Sequence, residues 1–268
     1  MNLRLGLLVA FTLLAIGAAI LLPAVPQPLN YHDFADKREA FGIGNFLDVS
    51  SNIAFAIAGL AGLLVSLHPR ACFAHASERW PYAVFFVGVL LTAAGSAYYH
   101  LAPDNETLFW DRLPMTISFM SLVSAQIVDR ISARLGVALL VPLLLVGMAS
   151  VVYWLVTERA GQGNVVPYAV LQGYSVVILV GLAATHSSRY TRGAAIYWVF
   201  AAYVLAKLFE QFDRQLLAVG GIISGHSVKH VAAAIGAVIV CHMLWRRKLA
   251  GAPSARPSTT ENLLRATY

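Results

Sequence analysis

The stretch "GHSVKHVAAAIGAVIVCHMLW" (225–245) holds one charged residue, Lys229, and is otherwise almost continuously apolar. A helix needs roughly 20 predominantly apolar residues to cross a bilayer, and this run supplies them. It also opens with His226 and His230, four residues apart and therefore on one helical face. The stretch raises two questions: whether the rest of the chain is built for lipid, and what two imidazoles hold at the start of a spanning helix.

Composition answers the first. Of 268 residues, 59% are hydrophobic and 12% charged, with a mean hydropathy of +0.69. Soluble domains carry about twice that charge. Seven further apolar segments are found at about 4–23, 48–67, 81–100, 108–128, 135–156, 165–185 and 193–213, alongside 226–245. The expected fold is an all-α integral membrane protein: a membrane core over 48–248, preceded by one apolar helix over 1–24 and a loop over 25–47. The first segment has a basic start like a signal peptide, but its apolar core exceeds the usual 7–15 residues, which favours a retained helix. The tail 249–268, rich in Pro and Ser, is expected to be disordered.

The net charge of +6 does not point to nucleic acid, because the basic residues are scattered at segment ends and form no patch interleaved with aromatics. They report orientation instead. If the segments alternate, Arg4, Arg70, Arg79, Arg130, Arg134, Arg189, Arg192, Arg246, Arg247, Lys248, Arg256 and Arg265 fall on one side, twelve of the 19 Lys+Arg. That side is expected to be cytoplasmic, with both termini on it. The two cysteines, Cys72 and Cys241, do not suggest a disulfide framework.

The same alternation brings His100, at the end of "GSAYYH" (95–100), to the outer depth of His226 and His230. An H-x-x-x-H pair with a third histidine from another helix can hold Zn²⁺ and leave its fourth position open. Asp111 in "TLFWDRLPM" opens the next helix at that depth, and Ser96 lies one turn below His100 on its face. Ionisable groups inside a span are costly and read as functional, although Asp111 also reads as an ion pair with Arg112, and Ser96 as a small residue for close packing. Lys207, Glu210 and Asp213, spaced by three, are expected on one helical face as head-group contacts or as an internal ion pair, with Lys229 either a partner for Glu210 or snorkelling outward. Ser51 and Asn52 are expected to bridge helices or a ligand through hydrogen bonds.

These residues resemble the alkaline ceramidase family, within the seven-helix membrane hydrolases that include the progestin and adipoQ receptors. The resemblance rests on "DVSSNIAF" (48–55), "GSAYYH" (95–100), "WDRLPM" (110–115) and "GHSVKH" (225–230), in family order, over residues 33–236. It implies a seven-helix hydrolase core, here with one extra N-terminal helix. It implies zinc on His100, His226 and His230, with Asp111 on the attacking water and Ser96 beside it. The implied reaction is hydrolysis of the amide of ceramide, or of a similar N-acyl lipid drawn from the bilayer, to a fatty acid and a long-chain base.

The resemblance also implies a Ca²⁺ site in "YHDFADKREAFGIGNF" (31–46), where Asp33 and Asp36 match acidic positions, Phe34 offers a carbonyl and Asn45 stands for a carboxylate. Ca²⁺ takes 6–8 oxygen ligands, and Arg38 falls near one of their positions. The expectation is therefore a lost or weak calcium site, with Arg38 pairing both aspartates. Two other classes compete with the hydrolase: a receptor-like or structural protein whose metal ties helices together, and a transporter or heme protein using the H-x-x-x-H pair.

Overall fold

The computed structural model describes residues 3–251. Ten helices follow one another among them: α1 (Leu3–Leu21), α2 (Phe46–Ser50), α3 (Ile53–Leu67), α4 (Arg79–Leu101), α5 (Asn105–Arg130), α6 (Ala133–Arg159), α7 (Val166–Thr185), α8 (Ala195–Gln211), α9 (Asp213–Gly220) and α10 (Gly225–Arg246). Their ends follow local chemistry. Asp104 and Thr107 close a capping box on α5, while Ser132 and Ser224 accept from backbone N–H groups at the starts of α6 and α10.

All eight expected segments have helical counterparts, and six are long and apolar enough to cross a membrane: α1, the α2–α3 unit, α4, α6, α7 and α10. The segment expected at 193–213 is corrected. Its helix α8 stops at Gln211, and α9 leaves at 74° to it, so the pair counts as a seventh span only if taken together. Helix α5 has the length, at 26 residues, but falls short in apolarity. The reason is its place in the middle of the bundle: Arg112, Gln126, Asp129 and Arg130 are buried against protein rather than turned to lipid. Lipid-type surfaces lie elsewhere, for example at Leu60, Leu64, Val141, Leu145 and Trp198, all exposed. Six to seven such helices are the build of a multi-pass membrane protein.

Close backbone approach holds α4 against α5. A Cβ on Gly95 would lie 1.9 Å from the Trp110 carbonyl oxygen, and one on Gly88 would lie 2.5 Å from Ser118 Oγ. Small residues of this kind bring membrane helices together where no hydrophobic drive exists between them. Helix α1 buries none of its residues and packs on α7, with Phe11 stacked on Tyr174 at 5.7 Å and Thr12 bonded to the Tyr174 hydroxyl.

At the end away from the histidines, charges expected to mark only orientation are partnered inside the protein. Arg247 pairs with Asp129 at 3.0 Å among the rings of Phe73, Tyr82 and Tyr190, and Arg189 pairs with Glu78 at 3.2 Å. Leu249 bridges to Tyr190 and the Ala250 N–H donates to the Arg189 carbonyl, so the expected disordered tail does not begin at 249. The rest of that tail, 252–268, lies outside the described residues.

Candidate metal centre

Three histidines meet where α4 finishes and α10 begins. His100, His226 and His230 are all buried, and one ligating nitrogen from each lies within 4.8 Å of the others. The Nε2 atoms of His100 and His226 are 3.3 Å apart. A tetrahedral ion with bonds of about 2.0–2.1 Å to imidazole sets its ligands about 3.3–3.4 Å apart, so this pair stands at the edge length of such a site. His100 Nδ1 is buried without a protein partner. His230 Nδ1 meets Ser51 Oγ at 2.7 Å, which leaves its Nε2 for the centre. A polar group on the outer ring nitrogen is the usual support of a metal-binding histidine. The donor set fits a transition-metal ion, and three imidazoles suit zinc, copper, iron or nickel.

The residues around the triad explain its position. Ser51 and Asn52 form the junction between α2 and α3 rather than the middle of one helix. From the same turn Asp48, fully buried, accepts from Ser227 at 2.5 Å and from Ser224 at 3.3 Å, which fixes the first turn of α10. Asp48 has no expected role in the sequence, although a carboxylate inside an apolar segment is a signal for one.

Asp213 was expected with Lys207 and Glu210 on one face, and the helix break separates them. Its carboxylate accepts from the backbone N–H of His226 at 2.8 Å and of Ala35 at 2.9 Å, tying a metal-centre helix to the 25–47 segment. Lys207 and Lys229 both pair with Glu210, at 2.5 and 2.8 Å, as expected for Lys229.

The residues matched to calcium each have another partner. Asp36 is held by Arg38 alone at 2.6 Å, whereas Asp33 pairs with Lys37 and Arg214, so Arg38 does not bridge the two aspartates. These cations hold both carboxyls below the ordinary aspartate value of 3.8. Asn45 donates to the His100 carbonyl at 2.8 Å. The segment is a strap instead. Arg38 also donates to the carbonyls of Gly221 and Ile222, and the buried Phe34 ring lies edge-on over His100 and His226 at 4.6 and 4.4 Å. His32, off the centre, bonds Tyr99 and Asn105.

Inside the bundle the centre opens on a cavity of about 400 Å³. Its wall near the metal end includes His230, Ser96, Asp111, Lys207, Glu210 and Lys229; farther in it is Phe85, Val89, Leu122, Leu179, Ile196 and Val199. Ser96 and Asp111 both line this cavity, so the two expected companions of the triad share one wall. Arg112 forms no ion pair with Asp111; it turns toward Gln27 and three aromatic rings. No protein-family model matches the chain, and no curated protein matches it.

Proposed function

We propose that the chain is a zinc-dependent amidohydrolase that cleaves the amide of a membrane N-acyl lipid, ceramide-like in outline, to a fatty acid and an amine. One observation carries the reading: a buried histidine triad, with His100 and His226 Nε2 3.3 Å apart, opens on a cavity that also presents Asp111 and Ser96 and continues along an apolar lining. A receptor or a structural tie needs the triad but not the other two. The motif resemblance to alkaline ceramidases points the same way.

Zinc at such a site supplies a Lewis acid and brings the pKa of a bound water toward about 7. The chain's own groups do the rest. His100, His226 and His230 hold the ion, with Ser51 fixing the His230 ring. Asp111 accepts the proton of the attacking water and returns it to the leaving amine. Ser96 donates to the oxyanion that develops on the carbonyl. The acyl chain lies along Phe85, Val89, Leu122 and Leu179. The excess of basic residues expected at the opposite end supports an extracytoplasmic site.

The test is zinc content and fatty acid release, measured on one detergent-purified sample. Wild type is expected to carry about one zinc per chain and to release fatty acid. Asp111→Asn keeps the zinc and loses about 10²–10⁴-fold in rate, and His226→Ala loses both. Zinc without release from any N-acyl lipid would overturn the hydrolase reading.

A further inference from the structure

Arg112 is the residue that this mechanism leaves unemployed. It sits in the second turn of α5, is only 5% exposed, and lines the cavity. Its guanidinium lies over Trp154 at 4.4 Å, Tyr168 at 4.8 Å and Tyr31 at 5.4 Å. One side-chain hydrogen bond holds it, from Nη2 to the neutral Gln27 Oε1 at 2.6 Å, and Nη1 is buried with no protein partner. A buried arginine ordinarily has a carboxylate, because an uncompensated internal charge is expensive. The other cavity cations do have one, since Lys207 and Lys229 share Glu210.

Charge points to what completes the set. The cavity wall carries three cations, Arg112, Lys207 and Lys229, against two carboxylates, Asp111 and Glu210. A guanidinium fork held flat by aromatic faces suits a planar or tetrahedral oxyanion. Position says which half of the lipid carries it. Arg112, Gln27 and Tyr31 share the polar end of the cavity with Asp111, while the apolar lining that suits an acyl chain runs the other way, through Phe119 and Leu122 of the same helix. A group near Arg112 therefore lies beyond the amide, on the amine side.

We infer that Arg112 receives an anionic group on the amine half of the substrate, so that the preferred lipid is an N-acyl amino acid or similar anionic N-acyl amine rather than a neutral one. The inference rests on the hydrolase reading and turns its substrate class from neutral ceramide toward anionic N-acyl amines. Gln27 acts as a positioning residue that sets the plane of the guanidinium.

The experiment compares N-palmitoylglycine, N-palmitoyltaurine and neutral N-palmitoylethanolamine as substrates in detergent, for wild type, Arg112→Gln and Arg112→Lys. Wild type is expected to favour the anionic lipids by about tenfold or more in kcat/KM, the range of a hydrogen bond to a charged group. Arg112→Gln removes that preference, and Arg112→Lys keeps part of it. The same proteins are titrated with the three lipids and with sodium palmitate, following thermal midpoint, which reads binding without turnover. The expected result is that anionic head groups raise the midpoint of wild type more than that of Arg112→Gln. Equal treatment of charged and neutral lipids by wild type, in turnover and in binding, overturns the inference and leaves the hydrolase standing. Palmitate binding that alone depends on Arg112 also overturns it, by assigning the guanidinium to the acyl carboxylate. Charge-selective binding with no turnover of any lipid keeps the anion site and removes the hydrolase.

Discussion

At His230 the two ring nitrogens have separate tasks: Nδ1 meets Ser51, and Nε2 is left for the triad. Ser51→Ala removes the partner and frees the ring to turn. Zinc affinity, measured by competition with a chelator, is expected to fall about 10–100-fold while the fold is retained. The triad was legible in the sequence because a spacing of four puts two imidazoles on one helical face and alternation of spans brought His100 to their depth. Asp111 and Ser96 followed from the same arithmetic. Phe34, Asp48 and Arg112 were not legible as parts of the site. What gives each its role is a contact over a long sequence separation: Phe34 with His226, Asp48 with Ser227, and Arg112 with Tyr31, Trp154 and Tyr168.

Two elements control how well these residues stay aligned. The first is the α4–α5 pair, which carries Ser96 and His100 on one helix and Asp111 on the other. Gly95→Ala forces a methyl toward the Trp110 carbonyl, and overpacking of this kind costs about 1–3 kcal/mol. A lower thermal midpoint is expected, together with a fall in fatty acid release larger than the loss of bound zinc. The second is the strap over 25–45, held by Arg38, Arg214 and Asp213. Because the Asp33 and Asp36 carboxyls are held below 3.8, their ion pairs contribute fully above that value and are lost as pH falls through the lowered one. Proteolysis within the strap is expected to accelerate as pH is taken below 3.8, and Asp213→Ala is expected to produce the same exposure at neutral pH. The break after Gln211 escaped sequence reading because 193–213 has uninterrupted helical composition. What stops α8 is the turn that delivers Asp213 to the N–H of His226, a tertiary requirement without a local signal.

On the scale of the molecule the two ends differ in kind. The histidine end carries a strap, a broken helix and a cavity. The other end is a closed network in which Asp129, Tyr82 and Arg247 share hydrogen bonds around a fully buried guanidinium. Arg247→Ala strands Asp129, and removing one partner of a buried pair costs about 3–5 kcal/mol; unfolding in denaturant is expected to show that loss with little change in zinc per folded chain. Orientation is tested with Phe41→Cys, an exposed strap position, in a chain whose Cys72 and Cys241 are replaced by Ser. A membrane-impermeant maleimide is expected to label it on intact cells. The rough bounds of six apolar helices were legible from run length alone, whereas the break after Gln211 and the burial of α5 were not, since a central helix of mixed polarity looks in sequence like a weaker span. The roof that Phe34 places over His100 and His226 has a kinetic consequence. With the strap side shut, the triad's open side is the cavity, so under the proposed function ion and lipid would share one door. Loading is then expected to precede the first lipid, and a chain saturated with lipid is expected to surrender zinc to a chelator more slowly than an empty one.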